Sequence, residues 1–202
     1  MGMEAELDGL ARRLSPRDGR ARAILLVPVS KGAGASAVAH GLAVASHRAT
    51  GRPVWLYDLD FSSNRQASQM RLNGDAFAGE LGGLRFWRAD PDGAGRLAMR
   101  RSVSAPIYVS RFERASGSVK RVVFHPSAAY WRQARLACGL VIVDAPAGSA
   151  GVLSVAPDMD GVILVADAGR DGRAAAEETA ARIEQAGGRV LGVVVNRAPA
   201  AS

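Results

Sequence analysis

Two groups of residues in this sequence are of the right types and spacing to do chemistry together. The run Ser30-Lys31-Gly32-Ala33-Gly34-Ala35-Ser36 follows an apolar segment and precedes a helical one, which is the setting of a loop that cradles phosphate. Glycines there let backbone N–H groups turn toward phosphate oxygens, and a helix N-terminus adds partial positive charge. The second group is acidic. Asp58 and Asp60 close one apolar run and Asp144 closes another. In open α/β sheets the carboxyl ends of the strands form the ligand crevice, so a glycine loop and three carboxylates are expected to converge on one edge.

The elements that must position these residues are legible as hydrophobic pattern. Continuous apolar runs at 24–29, 54–57, 140–143, 162–166 and 190–195 read as strands covered on both faces. Helical stretches follow at 36–49, closed by Gly51, and at 173–186, closed by Gly187 and Gly188. Strand alternating with helix predicts a single α/β domain with a mainly parallel sheet and helices on both faces. Residues 1–22 read as an N-terminal helix and linker, with Met3, Leu7, Leu10 and Leu14 near helical spacing and Pro16 and Gly19 breaking the pattern. The main domain is then 23–202. It carries a variable insertion around 61–133, where two alternating runs at 107–112 and 119–124 flank Ala115-Ser116-Gly117 and predict a hairpin.

Composition bounds the function. The chain has 202 residues, 48% hydrophobic and 22% charged, with 23 glycines and 9 prolines in no repeat period, as in one ordinary globular domain. No apolar run approaches the roughly 20 residues of a spanning helix. Glu4, Glu6 and Asp8 stand where a secretory signal would be cationic, and a cytoplasmic protein is expected. Cys138 is the sole cysteine, which excludes an internal disulfide and a multi-cysteine zinc site, and His40, His47 and His125 suggest no metal cluster. The net charge is +7. It invites nucleic acid, an anionic membrane surface or an acidic tail as partner, although an arginine-and-alanine bias also follows from a GC-rich genome.

The residues of the two groups resemble those of a known family. Residues 24–60 and 138–198 look like the deviant P-loop ATPases related to the chromosome-partitioning and septum-positioning ATPases, and most like the bacterial tyrosine kinases of capsule and exopolysaccharide synthesis. Val54-Trp55-Leu56-Tyr57-Asp58-Leu59-Asp60 is similar to that family's second Walker A motif, and Leu140-Val141-Ile142-Val143-Asp144-Ala145-Pro146 to its Walker B motif. The resemblance implies a P-loop NTPase-like fold and gives the residues roles. Gly32 and Gly34 would hold phosphates, Ser36 would ligate Mg²⁺, and Asp144 would hold that ion through water. Asp58 and Asp60 would serve the metal and the nucleophile, as the catalytic residues if the protein is active, and Asn196 would face adenine.

Against that pattern the chain departs at one decisive position. Immediately before the Mg²⁺-binding serine the family has the lysine that reaches the β- and γ-phosphates, and here that residue is Ala35. Losing one charge-assisted contact costs about 1.5–3 kcal/mol of binding, whereas losing a donor to developing charge costs roughly 2.7–4 kcal/mol of barrier. Binding of ATP or ADP with Mg²⁺ is therefore expected to be weak or absent, and turnover negligible. Lys31 lies one residue out of register with the family's signature lysine and reads as an exposed loop residue. The family's tyrosine-rich tail is not expected beyond Asn196, since the sequence ends Ala198-Pro199-Ala200-Ala201-Ser202. Its N-terminal Glu-x-x-Arg-x-x-Arg assembly motif is not reproduced either, because Leu7 and Leu10 follow Glu4 at that spacing. The family's ring is not expected on this ground, and a homo-oligomer of another kind is left open.

Three functions are weighed. The resemblance and Ala35 together favour a catalytically impaired kinase-like module that regulates exopolysaccharide synthesis or export by binding a membrane chain-length (co-polymerase) protein, peripheral to the inner membrane. An active ATPase or protein-tyrosine kinase of the same pathway is the alternative, and a partitioning-type ATPase the third. Scattered arginines, densest at 12–22, indicate no dedicated nucleic-acid groove. For the partner, the stripe Leu7, Leu10 and Leu14 beside Arg12 and Arg13 has two readings. It is either an exposed docking surface or a helix packed on its own domain.

Overall fold

The computed structural model describes residues 3–15, 19–115 and 119–197. Pro16 of the linker, Ser116 and Gly117 of the expected turn and the end at 198–202 lie outside them. The chain order is α1 (Met3–Leu14), β1 (Arg22–Pro28), α2 (Ala35–Thr50), β2 (Val54–Asp58), α3 (Arg65–Gln69), β3 (Leu72–Ala78), β4 (Trp87–Asp90), β5 (Gly95–Ser102), β6 (Ile107–Arg114), β7 (Arg121–Phe124), α4 (Ala128–Ala137), β8 (Leu140–Asp144), α5 (Gly151–Val155), a 3₁₀ turn (Ala156–Asp158), β9 (Gly161–Asp167), α6 (Arg173–Gln185) and β10 (Val190–Asn196). Each strand expected from a continuous apolar run is present.

The main sheet has eight strands in the order β10-β9-β1-β8-β2-β6-β5-β3. From β10 to β6 every pairing is parallel, and β5 and β3 extend the sheet antiparallel. Central strands β1, β2, β8 and β9 are buried on both faces, which is why they read as unbroken apolar runs rather than alternating ones. One face packs against α1 and α2 through Leu7, Leu14, Val38, Leu42, Ile24 and Ile142. The other packs against α4, α5 and α6 and the small β4–β7 sheet through Trp131, Tyr130, Val155, Ile183 and Trp87. This is the expected α/β domain, a mainly parallel sheet with helices on both faces.

One expectation is corrected here, and one open reading is decided. The 107–124 region is not a hairpin. Strand β6 joins the main sheet between β2 and β5, with Ile107 opposite Val54 and Val109 opposite Leu56, while β7 pairs with β4 in a separate two-stranded sheet. Ile107, Val109 and Phe112 are buried in the main sheet, more apolar burial than a half-exposed partner such as β7 offers. The N-terminal stripe is also not a docking surface. Leu7, Ala11 and Leu14 are buried against α2, Leu7 closes over Gly41 so that a Cβ there would stand 2.6 Å from Leu7 Cδ1, and Arg48 on α2 holds Glu4 at 2.9 Å. Helix α1 is part of the core.

Candidate functional site

Strand β1 runs into the glycine loop, which turns on itself with the Ala33 N–H donating to Ser30 O at 3.2 Å. Gly32 and Gly34 have φ of +82° and +91°, a region that side chains other than glycine enter at a cost. Gly34 is required for space as well, because a Cβ there would lie 2.1 Å from Asn196 Nδ2. Helix α2 begins at Ala35, with Gly34 as its N-cap and no side-chain cap, so the N–H groups of its first turn have no partner within the helix. Lys31 is exposed, and the Ala35 methyl is buried among the apolar residues under α2.

Asp58 and Asp144 are register partners at the carboxyl ends of neighbouring strands β2 and β8, each 3% exposed. Asp58 accepts from the Asp60 N–H at 2.8 Å and the Gln66 N–H at 2.9 Å. Burial nevertheless pushes its carboxyl up to about 6, the backbone donors opposing and the charges of Asp144 and Asp60 adding. Asp144 is raised as well, again by burial, with the nearby Ser36 hydroxyl and the Gln66 amide acting in the opposite direction. Gln66, 1% exposed, bridges the two halves of the site. Its Nε2 donates to Asp144 Oδ2 at 2.7 Å and to Ser36 O at 2.9 Å. The second Asp144 oxygen, Oδ1, is buried with no hydrogen-bond partner among the described residues. Asp60 turns aside. Although partial burial acts upward, the hydroxyls and N–H groups of Ser62 and Ser63 hold its carboxyl below the ordinary range.

Gly32, Gly34, Ser36, Asp58, Asp144 and Asn196 thus lie at one edge of the sheet, with Asp60 on its rim. Asn196, at the end of β10, turns its amide toward the loop, Nδ2 donating to Ala33 O at 3.0 Å and Oδ1 accepting the Arg197 N–H at 3.0 Å. Four further residues at this edge were not singled out from sequence: Gln66, Asp167, Arg170 and Arg197. Asp167 ends β9 opposite Asn196 and carries the same signal as Asp58 and Asp144, an aspartate closing an apolar run. Gln66 and the arginines carry no comparable signal.

An orphaned, buried carboxylate oxygen beside a serine hydroxyl at a helix start is a donor set of hard oxygens. Mg²⁺ prefers such ligands and keeps several waters, and Ser36 and Asp144 are the residues that would hold one.

The fold is like that of P-loop ATPases. No protein-family model and no curated relative matches the sequence, so the likeness is structural. The tyrosine kinase domain of BceF superposes with a TM-score of 0.68 at 18% identity, over 97% of this chain and 78% of that one. The kinase domain of VpsO gives 0.64 at 16% identity, over 97% and 96%. A nucleotide-binding protein from Archaeoglobus fulgidus, in complex with ADP, gives 0.52 at 18% identity, over 93% and 70%.

Proposed function

We propose that this chain is a catalytically impaired, tyrosine-kinase-like P-loop protein that holds ATP or ADP weakly and regulates exopolysaccharide synthesis or export by binding a membrane chain-length partner. The observation that carries the reading is Ala35. The position that in the resembled family supplies the cation to the β- and γ-phosphates holds a buried methyl group, while the glycine loop before it and the strand-end carboxylates beside it are assembled. A nucleotide would place its phosphates on the loop N–H groups around Gly32 and Gly34, with Mg²⁺ held by Ser36 and, through water, Asp144. That ion would neutralise phosphate charge. Without the lysine, the charge that develops during phosphoryl transfer meets no cation at the start of α2, so recognition rather than turnover is the use we assign to the site. The pathway and the partner come from the family resemblance, and the likeness to tyrosine kinase domains supports them at the level of the fold. Among the described residues no helix is long and apolar enough to cross a membrane, and recruitment to the inner membrane is assigned to the partner.

Phosphate release measured with ATP, with and without Mg²⁺, tests the reading. The expected result is negligible turnover, and rates in the kinase range of roughly 1–100 s⁻¹ would refute it. In the same assay series, Ala35→Lys is expected to strengthen ATP affinity about ten- to a hundredfold by calorimetry.

A further inference from the structure

At the β9–β10 corner of the loop, three charged residues meet. Asp167, buried to 8% side-chain exposure, receives both Arg170 NH2 at 2.9 Å and Arg197 NH2 at 2.6 Å on the same oxygen, Oδ2. Its other oxygen accepts the Gly169 N–H at 2.9 Å. The Gly169 N–H and the two guanidiniums hold this carboxyl below its ordinary range, and a second carboxylate, Asp171, accepts the Asp167 N–H at 2.7 Å in the same corner.

The cluster touches the phosphate loop itself. Arg170 NH2 stands 3.3 Å from where a Cβ on Gly32 would be, and Arg197 NH2 donates to Gly32 O. Arg197 reaches this position from a left-handed backbone with φ of +58°, uncommon for a residue with a side chain. Both guanidiniums remain about half exposed, at 53% and 54%, and are free to turn from the carboxylate toward a ligand.

We propose that Arg170 and Arg197 bind the phosphate chain of a nucleoside di- or triphosphate where it lies against Gly32 of the glycine loop, supplying positive charge that Ala35 does not. The inference rests on the nucleotide-binding reading above and names the residues that make such binding work. Two arginines on one carboxylate oxygen leave hydrogen-bond donors unspent, and the planar guanidinium fork matches phosphate oxygens in pairs. Asp167 competes with the ligand for the same donors and thereby limits affinity. The arrangement also accounts for binding without turnover. The cations approach the loop from the β10 side at Gly32 rather than from the start of α2, where the absent lysine would have stood.

The test uses the full chain and calorimetric titration with ATP and with inorganic tripolyphosphate, in the presence of Mg²⁺ at fixed salt. The double substitution Arg170→Gln and Arg197→Gln keeps hydrogen-bond donors for Asp167 and removes both charges. It is expected to weaken binding of both probes by about ten- to a hundredfold. Asp167→Asn releases both guanidiniums and is expected to tighten binding of both, a gain that a merely structural ion pair would not produce. If wild type binds the probes and the double variant binds them equally well, the arginine assignment fails while the nucleotide reading stands. Asp167→Asn that binds no more tightly than wild type likewise overturns the shared-charge account, whether or not the double variant folds. If wild type binds neither ATP nor tripolyphosphate, the nucleotide reading fails and takes the assignment with it.

Discussion

Asp58→Asn is expected to gain stability relative to wild type as the pH rises from mild acid to neutral. The Asp58 carboxyl is 3% exposed and holds its proton up to about 6, against an ordinary value of 3.8. That difference corresponds to about 3 kcal/mol of cost for the ionised, folded form above both values. Between them the folded chain binds more protons than the unfolded one, so stability falls as pH rises through this window. Asp144, raised in the same direction, adds to the slope. Asp60, Glu113 and Asp167 are shifted downward, and their contributions are lost only on acidification below the ordinary carboxylate range. The window above it therefore reports the buried pair. Asparagine removes the charge but turns one acceptor oxygen into a donor, so one of the two backbone N–H groups that Asp58 accepts, Asp60 or Gln66, loses its partner at every pH. That cost does not depend on pH, and the charge shows in the pH dependence alone. Urea unfolding followed by far-ultraviolet circular dichroism should show the stability of Asp58→Asn relative to wild type rising by about 2 kcal/mol between about pH 4 and about pH 7. A difference between variant and wild type that does not change with pH, or that falls as pH rises, would refute the account of Asp58 as a desolvated carboxylate.

Two further outcomes follow from packing and backbone geometry. Leu14→Ala, which empties a 4% exposed position between α1 and the domain, should cost about 2–5 kcal/mol in a denaturant melt, and an unchanged midpoint would detach α1 from the core. Gly34→Ala places a Cβ against Asn196 Nδ2 at φ +91°. It should lower stability by more than about 1 kcal/mol and weaken any ATP binding in calorimetry, whereas a silent substitution would mean that the loop takes another shape.

The parallel strands were legible in sequence because burial on both faces leaves an unmistakable apolar run, and the aspartates that close them marked the crevice edge. Asp58 and Asp144 fall opposite one another for that reason. What sequence reading missed depends on partners distant in the chain. Alternation at 107–112 and 119–124 is real, but alternation does not say which strand lies alongside, and the sheet recruits β6 through Val54 and Leu56. The stripe on α1 was readable as apolar, while its destination depended on Gly41, whose missing side chain admits Leu7. Gln66 and the arginines were invisible for a similar reason. A glutamine on a five-residue helix or an arginine after a strand acquires meaning only from the groups that the fold brings to it.

The two faces of the sheet differ in one more respect. All three tryptophans, Trp55, Trp87 and Trp131, are buried on the face that carries α4 to α6, and the indole N–H groups of Trp87 and Trp131 have no hydrogen-bond partner among the described residues. Their emission is expected to shift to the red when that side opens to water. The face beneath α1 and α2 contains no tryptophan among its buried residues. Intrinsic fluorescence is therefore a one-sided witness. It follows the disassembly of one layer directly and sees the other, to which the glycine loop is attached, only when the whole domain unfolds with it.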